Sequence, residues 1–407
     1  MKKEFECNAE ITVPTRERSR IDLFFLSLLA IGHAITDSYG QSLLSPMLPH
    51  IARRLNLSLT QIGALPMMMG FSSSLSQPIF GQLADQKPRW CMVAVGPFLA
   101  SCFICFVGYA RGYWELAALL FLVGIGISAF HPQGATLARK VGRGSGFSMG
   151  VFSVGGNVGF GLAPLLGGFY LVRLGLDRLY LGAMPALVFA GIMTLAFYSR
   201  IHDQCAGKLR QSGLSKIEGD SSRTAFVALA ATVVIRSTVQ IGLMTFLPFL
   251  IQQRFPVSQQ VEIQSLAVSA LLLSGAFAAP IGGHLSDRFG RRPLIFWSFC
   301  LAPWPLLIAC HLPAVNLLVL LAMGGLILML PHPGTVVMAQ ELMPQRSGIA
   351  VSLITGVAWG IAQILVLPLG KVAELTSLSA ALSGLCLLPL LGVFLVLLVP
   401  EHIPAAN

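Results

Sequence analysis

Charged residues are scarce in this chain: Asp, Glu, Lys and Arg together make up 11% of its 407 residues. Soluble globular proteins carry roughly a quarter, so the chain has too few charges to cover a water-exposed surface of this size. Acidic residues are the scarcer group, 17 against 27 Lys and Arg, whereas 55% of the residues are hydrophobic. This composition excludes a soluble enzyme, a disordered scaffold and a disulfide-stabilised secreted domain. It predicts an integral membrane protein.

Sequence signatures of nucleotide binding and catalysis are also lacking. The chain has no G-x-x-x-x-G-K-[ST] phosphate-binding run and no soluble segment large enough to bind ATP. It shows no nucleophile with a base at a recognisable spacing, so we do not expect an enzyme. Its eight cysteines fall mostly in apolar stretches, which is typical of buried thiols. Neither a cofactor nor a metal ion is expected.

Twelve apolar stretches run through the chain, each close to the roughly 20 residues that a helix needs to cross a bilayer. The polar, basic segment before the first stretch lacks the cleavage site of a signal peptide, so the first stretch is expected to be an uncleaved anchor. We number the predicted spans 1 to 12; they cover 23–48, 59–84, 91–110, 114–138, 147–171, 179–199, 224–251, 262–286, 293–311, 314–338, 348–371 and 376–399.

The basic residues are distributed unevenly between the two sides of the membrane. An even number of spans places both termini, and the loops after even-numbered spans, on the same side. The two tails and the loops after even-numbered spans hold 19 of the 27 Lys and Arg residues, and the other loops hold seven. By the positive-inside rule, this predicts a multi-pass protein of the inner (cytoplasmic) membrane with both termini cytoplasmic. The net charge of +10 therefore reflects topology and contact with the lipid bilayer, and no nucleic-acid partner is expected.

The two halves of the chain repeat the same motifs in the same order. Gly81–Arg89 after span 2 aligns with Gly283–Arg292 after span 8 at an offset of 202. His131 and His332, each followed by proline, align in spans 4 and 10 at an offset of 201. This duplication predicts an all-α membrane protein with twelve transmembrane helices in two pseudo-symmetric six-helix bundles. The predicted units are a tail at 1–22, a bundle at 23–199, a linker at 200–223, a bundle at 224–399 and a tail at 400–407.

The loop after span 8 carries a recognisable family motif. Gly283–Arg292 reads G-x-x-x-D-R-x-G-R-R, the loop signature of the major facilitator superfamily, and the chain resembles that superfamily over essentially its whole length. Within the superfamily, the chain is most similar to the fosmidomycin-resistance-type exporters. These resemblances imply the major facilitator fold and transport by alternating access around a mid-membrane site. The second resemblance rests on His33 with Asp37, Phe130–Pro132, Val154–Gly159 and Ala339–Pro344.

Asp37 and Arg236 are the two charged residues that fall near the middle of a predicted span. At an offset of 199 they align with each other, as Gln41 aligns with Gln240, so we expect them to face one cavity and to pair. Charges at this depth are costly and usually functional. Our hypothesis is that Asp37 binds the coupling proton, that Arg236 responds to its charge, and that His33, one turn earlier, shares the proton. The alternatives are a fixed structural ion pair and an Arg236 that binds an anionic group of the substrate.

Further residues are expected to line the substrate cavity. His131 and His332 precede prolines, which bend helices, so they present polar groups either to the cavity or to the backbone at a kink. The other expected lining residues are polar or aromatic: Gln41, Gln240, Asn157, Trp359 and Gln363.

Two further motifs bear on direction and gating. Span 5 resembles the antiporter motif G-x-x-x-G-P-x-x-G-G, which in the superfamily accompanies export against protons, although helix packing alone also favours small residues. The residues of this motif are Gly159, Ala163, Pro164, Gly167 and Gly168. Charges at the cytoplasmic ends of spans 2, 8 and 10 predict a gating loop whose ion pairs hold the outward-open state. Its residues are Asp85, Arg89, Asp287, Arg288, Arg291, Arg292 and Glu341.

Together these features predict a secondary active transporter, working as a monomer, that exports a small organic molecule or drug in exchange for protons. One alternative is a proton-coupled transporter of a natural metabolite, such as a sugar, an organic acid or a metal-chelating small molecule. Another is a membrane sensor that does not transport. Asp37 and the complete loop signature favour transport, because a sensor needs neither.

Overall fold

The fold is taken from a computed structural model, and the structure describes residues 15–86, 90–142, 146–201, 220–311, 314–343 and 347–399. Helices account for most of these residues, and no β-strand occurs among them. The predicted tail at 400–407 lies outside the described residues, as do most of the tail at 1–22 and of the linker at 200–223.

Each predicted span coincides with one long helix or with two or three consecutive shorter helices. Spans 1 to 6 are Thr15–Ser38 with Gln41–Leu44 and Leu48–Leu55, Leu59–Gln86, Trp90–Cys105, Tyr113–Val141, Gly146–Leu174 and Met184–Ile201. Spans 7 to 12 are Asp220–Arg254, Val257–Phe289, Arg291–Leu301 with Pro303–Ala309, Ala314–Met329 with His332–Leu342, Ser347–Ser352 with Ala358–Leu375, and Leu378–Val396.

Most of these helices are apolar enough to cross a membrane. Ten described helices meet that condition of length and hydropathy, and the bent pair Leu23–Ser38 and Gln41–Leu55 makes an eleventh. The remaining long helix, Leu59–Gln86, has 28 residues but carries four serines and four glutamines, which lower its hydropathy. It packs between spans 4 and 11, so neighbouring helices cover part of its polar surface.

Two interruptions of the spans matter for the site. In span 1 the axis turns by 43° between Ser38 and Gln41, where Gly40 has an extended backbone, and Pro46 lies in the short 3-10 turn that follows. Span 10 stops at Met329 and restarts at His332, with Pro331 as its N-cap. A proline cannot donate the backbone hydrogen bond that would continue the preceding helix. Span 4, by contrast, remains one helix despite its proline.

Contacts between the spans repeat after six positions. In the first half, span 1 packs on span 5, span 2 on span 4, and span 3 on spans 4 and 6. In the second half, span 7 packs on span 11, span 8 on span 10, and span 9 on spans 10 and 12. The halves meet where span 2 packs on span 11 and where span 5 packs on span 8. A two-fold rotation that relates the halves would exchange these two pairs of spans. The predicted fold class is confirmed.

The tight polar contacts between the halves lie on the side remote from the chain termini, called here the far side. Thr60 N–H donates to Glu374 Oε1 (2.8 Å), joining span 2 to span 11. The Ser45 hydroxyl donates to the carbonyl of Met244, joining spans 1 and 7. In this conformation the described parts of the two halves are therefore joined on the far side.

Candidate functional site

Asp37 lies between two histidines in the first half of the molecule. His33, one turn earlier on span 1, places Nε2 3.3 Å from Asp37 Oδ2. His131 reaches across from span 4 and places Nε2 3.1 Å from Asp37 Oδ1. The two imidazole rings meet edge to face, with their centroids 5.0 Å apart. We call His33, Asp37 and His131 the acid–histidine cluster.

The backbone fixes the orientation of both imidazole rings in the acid–histidine cluster. Nδ1 of His33 lies 2.8 Å from the carbonyl oxygen of Phe152, and Nδ1 of His131 lies 2.9 Å from that of Ile127. A carbonyl only accepts, so each Nδ1 is the N–H donor and each Nε2 faces the carboxylate. An Nε2 bears a second proton only when its ring is cationic. The two Nε2–carboxylate contacts are therefore both hydrogen bonds only when two protons are shared among the three side chains.

A glycine of span 5 makes room for the acid–histidine cluster. A Cβ at Gly156 would lie 2.6 Å from His33 Nε2 and 2.8 Å from Asp37 Oδ2, both too close for any side chain. The His33 ring also stacks on Phe152 of the same span, with centroids 4.2 Å apart. Gly156 was not among the predicted site residues, although it stands in the glycine-rich run Val154–Gly159.

The acid–histidine cluster has a spacing that a metal ion could also use. The three ligand atoms lie within 4.8 Å of one another. It is the one group of three or more such side chains that has this spacing within the described part of the chain.

Arg236 is buried in span 7, with 5% of its surface exposed. Its guanidinium donates to the sulfur of Met329 (Nη1–Sδ 2.8 Å) and to the hydroxyl of Ser237 (Nη2–Oγ 3.4 Å), and Nε has no partner among the described residues. The predicted ion pair with Asp37 is absent in this conformation. The described ion pairs of Asp37 are with the two histidines, which lie within hydrogen-bonding distance inside its own half.

A cavity of about 200 Å³ lies at the centre of the molecule, bounded by span 5 of the first half and by spans 7, 8, 10 and 11 of the second. Five of the predicted residues line it: Arg236, Gln240, His332, Asn157 and Trp359. Three polar or aromatic lining residues were not predicted, since nothing in their local sequence distinguishes them: Phe160, Ser237 and Thr355. The ring of Phe160 meets that of Trp359 nearly at right angles, at 72° and 6.3 Å between centroids, so an aromatic wall joins spans 5 and 11.

The remaining predicted cavity residues lie outside this lining. His131 belongs to the acid–histidine cluster. Gln363 Nε2 donates to Gln41 Oε1 (3.4 Å), and Gln41 Nε2 lies 3.4 Å from the hydroxyl of Thr245. These two contacts join the halves between spans 1, 7 and 11. In this conformation the two glutamines therefore act as a contact between halves and not as cavity wall.

The predicted gating residues are only partly described. Arg291, at the start of span 9, forms an ion pair with Glu341 at the end of span 10. Arg292 donates to the Leu397 carbonyl (3.1 Å), Arg288 stacks over Phe289, and Asp287 is exposed and forms none of the described ion pairs. Arg89 lies outside the described residues, and the side chain of Asp85 is not described.

The predicted antiporter motif lies at helix–helix contacts of span 5. A Cβ at Gly159 would collide with the backbone of Ala34 in span 1, and one at Gly167 with the backbone of Leu43. Gly168 faces Ser265 of span 8, while Ala163 and Pro164 are buried. The motif therefore sets how closely span 5 approaches spans 1 and 8, and it places Gly156 against the acid–histidine cluster.

Two curated bacterial proteins are similar to the chain over nearly its whole length. It is 30% identical to the uncharacterized MFS-type transporter YfnC of Bacillus subtilis (strain 168) over 383 aligned residues, and the alignment covers 92% of each protein. It is 27% identical to the fosmidomycin resistance protein of Escherichia coli (strain K12) over 390 aligned residues, and the alignment covers 94% of each protein. The resemblance to transporters of the fosmidomycin-resistance type is thereby confirmed.

The fold and the family follow from two further comparisons. A solved bacterial homolog of the human lysosomal transporter Spinster superposes with a TM-score of 0.68 at 18% identity, covering 95% of each chain, which shows a shared fold. The family model described as Major Facilitator Superfamily matches residues 31–367. This chain is a multi-pass membrane protein that belongs to the Major Facilitator Superfamily.

Proposed function

We propose that the protein is a proton-coupled antiporter that exports a small organic molecule from the cytoplasm across the inner membrane. The observation that carries the proposal is the position of Asp37. Its carboxylate lies inside a spanning helix, bonded to two histidines whose remaining ring nitrogens are held by backbone carbonyls. Such a cluster accepts and releases protons without needing a charged group of the opposite half, because its three side chains share the charge among themselves.

The two-fold arrangement supports alternating access. His33 and Asp37 lie on span 1, and His131 lies on span 4, so a change in the relative tilt of these two spans alters both contacts with the carboxylate. Span 5 packs on span 1 and also on span 8 of the other half, so it connects the cluster to the interface between halves. Proton binding and the rocking of the halves are coupled through this contact.

The direction of transport and the membrane orientation are part of the same proposal. The names of the relatives, a fosmidomycin resistance protein and multidrug resistance proteins, favour export of a drug or drug-like compound. The excess of basic residues on the side of the termini favours cytoplasmic termini, and the fold is expected to work as a monomer. Export or uptake of a natural metabolite is the alternative within transport, and a sensor without transport is the alternative outside it.

Reconstituted protein in liposomes with an imposed pH gradient tests the coupling. The wild type should accumulate its substrate against the substrate's own concentration gradient when protons flow in the opposite direction. The candidate substrates form a panel that begins with fosmidomycin. Asp37→Asn keeps the shape of the side chain and removes the titrating carboxylate. It should lose proton-driven accumulation and retain passive exchange of substrate across the membrane.

Asp177→Asn is the matched control, because Asp177 lies in the same half and its side chain is 85% exposed in a surface ion pair with Arg54. This control should transport normally. Full proton-driven accumulation by Asp37→Asn would contradict the proposed role of the cluster. Substrate binding without any transport by the wild type would favour the sensor instead.

A further inference from the structure

Arg236 is a buried cation for which the described part of the protein provides no anion. Its contacts are a thioether and a hydroxyl, neither of which is charged, and its Nε has no hydrogen-bond partner. A charge that is buried without a counterion is strongly unfavourable, more so within a spanning helix. The compensating charge must therefore come from outside the described chain.

Asp37 does not fill this need. It already accepts contacts from His33 and His131, and it is not among the residues that line the cavity around Arg236. Arg236 instead lines the central cavity, from which a ligand can approach it.

Two further buried polar atoms near Arg236 have no partner. Nδ1 of His332 and Oε1 of Gln240 are both without a hydrogen bond, and both residues line the same cavity. Buried polar atoms in proteins are nearly always satisfied, so a set of three unsatisfied groups around one cavity indicates a ligand site. The histidine can donate to an anion, whereas the amide oxygen of Gln240 requires a donor on the ligand.

The rest of the cavity limits the size and the polarity of the ligand. Its volume of about 200 Å³ is below the roughly 300–1,000 Å³ of sites that hold drug-sized molecules. The lining also includes the paired rings of Phe160 and Trp359, together with Leu272. These apolar surfaces suit an organic body and not a bare inorganic ion.

We propose that this cavity binds a small organic oxyanion, a carboxylate, phosphate or phosphonate that also carries a hydroxyl or amine donor. Arg236 is the counterion of the oxyanion, His332 a second donor to it, and Gln240 the acceptor for the donor group of the ligand. Arg236 is suited to this role because its planar guanidinium can donate two parallel hydrogen bonds to one oxyanion. The assignment rests on the proposed transport function, whose substrate class it names.

Binding to the purified, detergent-solubilised protein tests the inference without any proton gradient. The probes are 3-hydroxypropylphosphonate and 4-hydroxybutyrate, each compared with its neutral ester, which is the dimethyl ester of the phosphonate and the methyl ester of the carboxylate. We expect at least one acid to raise the unfolding temperature and its ester to have no effect, and the acid that binds more tightly identifies the head group. Equal effects of acid and ester, or no effect of either acid, would overturn the proposal.

Three variants separate ligand binding from folding. Arg236→Gln should weaken binding of the acid by about 10- to 100-fold, since it removes charge-assisted hydrogen bonds, and Arg236→Lys should retain part of the affinity. Without ligand, Arg236→Gln should unfold at the wild-type temperature or above it, because it removes an uncompensated charge. Arg254→Gln, at an exposed position of the same span, is the control and should bind normally.

Unchanged affinity in Arg236→Gln would refute the anion site. A large loss of stability in the ligand-free variant would refute it as well, since it would show that the guanidinium is compensated inside the protein. Intact binding of the acid together with absent proton-driven transport would instead refute the proposed antiport and leave the anion site standing.

Discussion

Asp37 and Arg236 occupy equivalent positions of the two halves, 199 residues apart, and yet they are not bonded to each other. His131, the partner of Asp37 on span 4, is equivalent to His332, which lines the same cavity as Arg236 on span 10. The duplicated positions have therefore diverged. The first half compensates its acid internally, whereas the second half turns its base towards the central cavity.

Removing one histidine of the acid–histidine cluster should reduce the number of protons exchanged in each transport cycle. His131→Gln keeps a polar side chain next to Asp37 and deletes one titrating ring. Each proton lost from the cycle lowers the maximal substrate accumulation by about tenfold for each unit of pH gradient. The expected change in proton number is checked by measuring substrate accumulation in liposomes as a function of the applied pH gradient, in buffer with a chelator.

His311→Gln serves as the control for that experiment, because His311 lies in the second half, is exposed and contacts the hydroxyl of Ser383 in the same half. An unchanged dependence on the gradient in His131→Gln would argue against a shared proton. Loss of wild-type transport on chelation would show that the cluster needs a metal ion.

A methyl group at Gly156 should disable the acid–histidine cluster while the protein still folds. In Gly156→Ala the new Cβ would lie 2.5 Å from His33 Cε1, so the ring must shift away from Asp37. Overpacking of this kind costs about 1–3 kcal/mol. If the protein avoids this cost by displacing the ring from Asp37, proton-driven transport should fall by about 5- to 150-fold. Transport rate and unfolding temperature are measured together. Gly150→Ala, in the same helix with no atom within 4 Å, should leave both unchanged.

The ion pair between Arg291 and Glu341 should contribute modestly, since both side chains are partly exposed. Exposed pairs contribute about 0.2–1 kcal/mol, so Arg291→Gln or Glu341→Gln should change the transport rate by no more than about fivefold. The exchanged pair Arg291→Glu with Glu341→Arg should restore it. If the exchanged pair remained as impaired as the single variants, the charges would act separately and not as a pair.

The far-side contact between Thr60 and Glu374 should open during each transport cycle. Cysteines introduced as Thr60→Cys with Glu374→Cys are expected to form a disulfide on oxidation and to block transport, and reduction should restore it. The single variant Thr60→Cys, oxidised in the same way, should continue to transport. Undiminished transport by the fully cross-linked protein would show that the far side stays closed throughout.

Several local features of the fold could be predicted because they depend on neighbouring residues in the chain. A run of apolar residues long enough to cross a bilayer forms a helix in lipid wherever it occurs, which is why the twelve spans were found. The residue positions of Asp37 and Arg236 within their spans were likewise readable. His33 was readable as a neighbour of Asp37, because it lies one turn earlier on the same helix. The contact of Asp37 with His131 and the surroundings of Arg236 were not, because helix packing and side-chain rotamers decide contacts between spans, and sequence offsets do not encode either.

The course of spans 1 and 10 shows the same limit. The proline after His332 predicted a bend in span 10, whereas no bend was predicted in span 1. The 43° turn at Ser38–Gln41 and the break before His332 both depend on how neighbouring helices pack against these spans. Sequence alone determined that this is a duplicated, twelve-span membrane protein of the major facilitator type, since the length of apolar stretches and the repeated motifs can be recognised without knowing any tertiary contact. Only the tertiary structure decided that the acid is also bonded to His131 of another span and that the buried arginine lines the cavity. Burial makes an unpaired charge so costly that its surroundings, and not its position in the chain, determine what it binds.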